Sequence, residues 1–152
     1  MKRLLALILT FLVALTVAGC RQDAPGGEIQ ISREVDLSGI TQIKLINAHN
    51  GYSTTIIDET DIMNITAFVG GTCGKPMGSG KGYYEGTYSV IFCYENGEEF
   101  LVTYGDDNAF YMGKGEDGYP IRYRLTNITI SEDVLPTFSL YDQSGMVWEA
   151  SK

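Results

Sequence analysis

The chain has 152 residues, 44% of them hydrophobic and 20% charged, with 19 acidic against 11 basic side chains and a net charge of −8. An acidic chain is repelled by phosphate backbones, which disfavours nucleic acid as a partner, and the length suits one domain with a real core. Cysteine use is small: three cysteines and a single histidine, without a close Cys-x-x-Cys pair, make a weak case for zinc.

The first twenty residues read MKRLLALILTFLVALTVAGC, with Lys2 and Arg3 as a positive start and Leu4 to Val17 as an almost wholly apolar run. The run is shorter than the about 20 apolar residues of a membrane span and has the length of a signal-peptide core. Val17-Ala18-Gly19-Cys20 resembles the bacterial lipobox. Small residues leave room at the scissile bond, and a thiolate is the nucleophile that accepts the diacylglyceryl group. The resemblance implies removal of residues 1–19 as a signal peptide, lipidation of Cys20 and a membrane anchor of two or three acyl chains, enough for stable attachment. The expected location is the extracytoplasmic face of the cell membrane. Loss of Lys2 and Arg3 leaves nine basic against nineteen acidic side chains, so the domain reads as a poor candidate for lying flat on anionic lipid.

Residues 20–39 then read as the lipidated N-terminus and a tether, polar and flexible over Arg21 to Glu28, and residues 40–152 as one folded domain. Gln42 to Ile46 and Ser53 to Ile57 are β-branched runs around His49-Asn50-Gly51, a hairpin pattern. Asp58 reads as a helix cap, with Asp61 in the first turn. Ile62, Ile65 and Val69 share one face of an expected helix over 59–69, closed by Gly70-Gly71. Residues 70–82 contain six glycines and a proline and read as a loop.

Tyr83 to Tyr94 and Glu99 to Tyr104 flank Asn96-Gly97, the clearest hairpin in the chain; apolar groups on both faces of its first strand place that strand centrally. Strands are expected at Ala109–Met112 and Tyr119–Leu125, the second with Arg122 and Arg124 pointing outward, and Asn127–Ile130 extends it or forms an edge strand. Ser131-Glu132-Asp133 resembles a cap for a short helix carrying Val134, Leu135, Phe138 and Tyr141, with Pro136 in its first turn. The expected fold is α+β: an antiparallel β-sheet of about six strands with one or two short helices packed on one face.

Constellations for chemistry are sparse. His49 lies in a turn, no nucleophile elbow is present, and the Ser-His-acid reading fails. No catalytic residues are expected. The acid pairs lie in expected turns, where carboxylates serve local purposes. Asp106, Asp107 and Asn108 in one turn and Glu116 and Asp117 in another are weak calcium candidates, without EF-hand spacing; no cofactor is expected. Cys73 and Cys93 either join in a disulfide, as an oxidising compartment allows, or stand as two small apolar residues. The loop 70–82 is either a plain surface loop or a partner-binding one. Tyrosine is concentrated in the strands, where it is a good strand former and also a good interface residue.

The series Ile43-x-Leu45-x-Asn47, Asp58-x-x-Asp61-Ile62-x-x-Ile65 and Tyr84-x-x-x-Tyr88-x-Val90-x-Phe92-x-Tyr94-x-Asn96-Gly97 resembles small uncharacterised lipoproteins of clostridial and bacillar Gram-positive bacteria, which carry a domain of unknown function. The likeness spans residues 40–142 and implies a tethered, exported domain with no catalytic residues to carry over. The expected activity is non-catalytic binding of a protein or envelope polymer. The alternatives are an envelope hydrolase using carboxylates and a protein that inhibits or protects against an envelope-active toxin or enzyme.

Overall fold

A computed structural model describes residues 27–79, 86–105, 107–142 and 146–147; the apolar start, Cys20 and the first part of the tether lie outside them. The described elements begin earlier than residue 40. β1 (Ile29–Gln30) and the single turn α1 (Ile31–Glu34) join the fold, because Ile29 pairs with Gly74 and Ile31 is fully buried.

β2 (Ile40–Asn47) and β3 (Tyr52–Ile56) form the expected hairpin, in register from Asn47–Tyr52 to Ile43–Ile56, with Gly51 at φ +71° in the turn. The helix α2 (Glu59–Gly70) follows. Its cap is Asp58, whose carboxylate accepts from the amides of Thr60 and Asp61 and so satisfies two donors that have no partner within the helix. β5 (Gly86–Tyr94) and β6 (Glu99–Gly105) make the second hairpin; Gly97 takes φ +83°, a conformation most side chains resist. β7 (Ala109–Met112) and β8 (Ile121–Leu125) complete the meander. A π-helical turn, Ile130–Val134, leads into α3 (Leu135–Asp142), and β9 (Met146–Val147) returns to the sheet edge.

With β4 (Cys73–Ser79), the nine strands among the described residues form one antiparallel sheet in the order β1-β4-β8-β7-β6-β5-β2-β3-β9. The count exceeds six because two end strands are only two residues long and because residues 73–79 form β4 (Cys73–Ser79) where a loop is expected. The glycines explain the difference. A Cβ on Gly74 would lie 2.5 Å from the Phe110 ring, so glycine is what admits that ring against the strand. Pro76 is tolerated because β1 pairs only with Cys73 and Gly74, which leaves Pro76 at the sheet edge beside an irregular register between Pro76 and Gly78. Residues 80–82 of the same segment lie outside the described residues, as do Tyr83 and Tyr84.

α2 and α3 cover one face of the sheet. Beneath them lie Ile43, Leu45, Tyr88, Val90, Phe92, Val102, Tyr104, Phe110 and Tyr123, packed with Ile65, Val69, Val134 and Phe138. Phe138 is the hub: its ring centroid is 5.4 Å from those of Phe68 and Tyr88 and 5.9 Å from that of Tyr104, inside the range of favourable aromatic pairs. The core polar groups find partners. Tyr104 and Thr72 hydroxyls lie 2.7 Å apart, and the buried Asn47 donates to Tyr88 Oη at 3.0 Å and to Asp142 Oδ2 at 2.9 Å. Tyr88 donates to the same carboxylate at 2.8 Å, so the end of α3 is bound to β2 and β5.

The C-terminal cap sits two residues earlier than Ser131. Thr129 Oγ1 accepts from the Glu132 amide at 3.2 Å while Asp133 Oδ2 accepts from the Thr129 amide at 2.7 Å, a reciprocal arrangement that precludes a strand through Asn127–Ile130. Pro136 falls in the first turn of α3, as expected. The Cys73–Cys93 disulfide is not formed. Cys93 is free and Cys73 is disulfide-bonded elsewhere; the two sit on β4 and β5 with three strands between them.

Candidate binding face

Strand alternation puts every second side chain on the face away from the helices. Lys44, Ile91, Leu101, Thr103, Tyr111, Arg122, Arg124 and Lys75 therefore line an uncovered surface, and cross-strand pairing joins them into rows: Lys44–Ile91–Leu101 and Ser89–Thr103–Tyr111–Arg122. No described helix covers this surface. At its centre lies a cavity of about 510 Å³ bordered by Ser89, Leu101, Thr103, Tyr111, Lys114 and Pro120, a size within the range of small-ligand sites. Ser89 and Thr103 hydroxyls lie 3.0 Å apart in its floor. Gly86 shapes that floor, since a Cβ there would meet Thr103 Cγ2 at 2.4 Å.

Two charged arrangements flank the cavity. On one side Lys44 Nζ donates to Glu99 Oε1 at 2.6 Å, which raises the lysine and lowers the glutamate from their ordinary values. Cys93 Sγ lies 3.8 Å from the same carboxylate; burial first, and then the neighbouring Glu99 charge working against Lys44, raise the thiol, which leaves it less nucleophilic than a solvated cysteine. On the other side Arg122 pairs with Asp107 and lies over the Tyr111 ring, 6.0 Å from its centroid. Lys75 and Arg124, opposite each other on β4 and β8, are both exposed.

A second, wider groove of about 850 Å³ runs along the β5–β6 turn beside Asp36, Tyr94, Glu98 and Phe100. Its groups are occupied within the fold. Tyr94 donates to the Asp36 carbonyl at 2.8 Å, with its phenol raised mainly by burial. Ser38 hydrogen bonds hold the Asp36 carboxyl below its ordinary value.

The calcium candidates do not converge. Asp106 lies outside the described residues. Asp107 is held by Arg122, Asn108 Oδ1 accepts from the Ile130 amide at 3.0 Å, and Asp117 closes its own turn on the Tyr119 amide at 3.1 Å. Glu116 is exposed in that turn. Among the described residues no three His, Cys, Asp or Glu side chains gather as a metal site. His49 is exposed in the β2–β3 turn, its amide held by Asn47 Oδ1 at 2.9 Å. Of the strand tyrosines, Tyr88, Tyr104 and Tyr123 belong to the core and Tyr111 lies on the uncovered face, so most follow from strand packing. The juxtaposition of Lys75 with Arg124 across β4 and β8, beside Glu28 and the Arg122–Asp107 pair, is the feature that sequence reading misses. The outward alternation of the two arginines marks half of it; Lys75 lies in a segment that reads as loop.

No protein-family model matches the chain, and neither the curated proteins nor the solved structures contain a match.

Proposed function

We propose that this chain is a bacterial lipoprotein, anchored through Cys20 to the extracytoplasmic face of the cell membrane, whose α+β domain binds a protein or envelope-polymer partner without catalysing a reaction. The observation that carries the reading is the order of basic start, apolar run and Val17-Ala18-Gly19-Cys20. The uncovered sheet face and its 510 Å³ cavity support the binding half, because a face without helices on it leaves surface for a partner. Metabolic labelling with an alkynyl fatty acid tests the anchor: the chain takes up label and fractionates with membranes, and Cys20→Ala abolishes both. Persistent labelling of Cys20→Ala would sink the assignment. Capture of an envelope component by the anchored chain, lost on substitution of Leu101 and Tyr111, tests the binding half.

One observation favours a second use of Cys20. The sequence holds three cysteines, Cys93 is free and Cys73 is disulfide-bonded, which makes Cys20 the remaining intrachain candidate for Cys73. A sulfur in a thioether cannot also join a disulfide. The mass of the N-terminal peptide with and without reductant separates the two: acyl mass supports the anchor, and a reducible link to the Cys73 peptide replaces it.

A further inference from the structure

We propose that the cavity on the uncovered face takes a neutral sugar ring, a pyranose unit of an envelope glycan; this rests on the binding reading proposed above and names its partner as a polymer. A pyranose has a face of C–H bonds and a rim of hydroxyls. The C–H face packs on an aromatic ring, whose own face carries negative charge density, and the rim needs donors and acceptors beside it. The cavity offers both. Tyr111, Leu101 and Pro120 border it, and the Ser89 and Thr103 hydroxyls lie 3.0 Å apart in its floor. Their mutual bond uses one O–H and leaves the other, with lone pairs on both oxygens, for a ligand. At about 510 Å³ the space suits roughly one or two sugar rings.

The site is built before anything enters it. Arg122, which stands outside the cavity lining, pairs with Asp107 and lies over the Tyr111 ring, so the ring is held from beyond the cavity. The connection from β7 to β8 adds a wall that a bare sheet lacks. Gly113 turns the chain at φ +63°, the Gly115 amide donates to the Tyr119 carbonyl at 2.8 Å, and Lys114 and Pro120 border the cavity from this wall. Geometry set in advance lowers the ordering cost of binding.

Charge decides between polymers. Lys44 offsets Glu99, and Arg122 offsets Asp107. Lys75 and Arg124, with Glu28 beside them, stand at the β4–β8 edge outside the lining. Among the described residues, that leaves Lys114 at the cavity with Glu116 and Asp117 of its own turn, and no surplus of positive charge to draw in a phosphate-bearing or carboxylate-bearing chain. The pattern also disfavours a protein, whose interface would have a contiguous apolar centre. Here Leu101 and Ile91 are interleaved with Lys44, Glu99, Ser89 and Thr103. The most exposed large apolar side chains, Met63, Leu140 and Ile57, lie on α2, on α3 and just before α2.

The test is calorimetric titration of the full-length chain, in a non-glycosidic detergent, with neutral trisaccharides of N-acetylglucosamine and of glucose, and with polyphosphate. At least one trisaccharide is expected to bind, with an affinity insensitive to salt. Tyr111→Leu should weaken it about ten-fold and Thr103→Val about five-fold. Melting temperatures check that both variants are folded; if Tyr111→Leu is not, Thr103→Val decides. No heat from either trisaccharide at about 10 mM overturns the proposal, as does binding that the folded variants retain in full. Heat from polyphosphate alone, lost in high salt, reassigns the face to an anionic polymer and also overturns it. The broader binding reading fails or survives separately. An envelope protein captured through Leu101 and Tyr111, with no trisaccharide bound, removes the sugar and keeps that reading; no capture and no trisaccharide bound removes both.

Discussion

The two faces of the sheet are built from the same strands and differ in burial. On the helix side Tyr88, Phe92, Val102, Tyr104 and Phe110 are almost completely removed from solvent. On the other side Leu101 and the charged residues of β2, β4 and β8 are not. Alternation forces this division, since neighbouring residues of one strand must point to opposite faces. It teaches that the residues that hold the fold together and the residues that face solvent are separable in this domain. Substitutions under α2 and α3 are expected to act on the fold, whereas substitutions on the uncovered face are expected to leave it nearly unchanged.

The sharpest way to break that comparison is Phe138→Ala. The ring is fully buried and touches aromatic rings from α2, β5 and β6, so its loss removes apolar burial and leaves a cavity among groups that cannot all collapse inward. A loss of about 3–5 kcal/mol is expected, measured by denaturant unfolding. A loss below 1 kcal/mol would mean that α3 contributes little to the core and that the covered face is less covered than it looks.

Next in size is Asp142→Ala. The carboxylate accepts from Tyr88 and Asn47, and its removal leaves those two buried groups with each other as partners. The charged acceptor makes this worth about 1.5–3 kcal/mol. A double-mutant cycle with Tyr88→Phe is expected to show positive coupling, and simple additivity would show that the end of α3 is not held this way.

The sequence discloses the two faces unevenly. In β5 and β6 the alternation, the Asn96-Gly97 turn and the burial all point the same way, so residues far apart are not needed to see the hairpin. α2 is equally local, with Asp58 capping three residues before Asp61. β4 is hidden because its glycines signal irregularity until Phe110 is known to lie against Gly74, a contact across 36 positions. The juxtaposition of Lys75 and Arg124 is hidden for the same reason, since the two meet only through the register of β4 with β8. The cysteines could be counted but not paired, because pairing depends on strand order and the sheet places Cys73 and Cys93 apart.

Alkaline pH probes the covered face through its tyrosines. Burial raises Tyr104 above its ordinary value near 10, and burial followed by the Asp142 hydrogen bond does the same for Tyr88. A raised folded value favours the protonated native state, so this contribution is intact below about pH 10 and lost as pH climbs beyond it. Stability is expected to fall above pH 10, by up to about 1.4 kcal/mol per pH unit for Tyr104 alone. Denaturation midpoints measured from pH 8 to 12 check this, and Tyr104→Phe should flatten the slope. A slope unchanged in that variant would place the titration elsewhere.

The smallest effect is expected on the uncovered face and is the most telling. Leu101 is 49% exposed, between Ile91 on β5 and the β7 end of the cavity, so Leu101→Ser removes little buried area and leaves no void. Stability should change by no more than about 0.5 kcal/mol, since the lost contacts are half solvent already. A loss several times larger would show that something within the chain covers this face, and the surface would then belong to the core instead of to a partner. An unchanged midpoint together with weakened capture of an envelope component would show the reverse: a residue of strand-forming type, kept exposed at the centre of a sheet, whose contribution is made only in the complex.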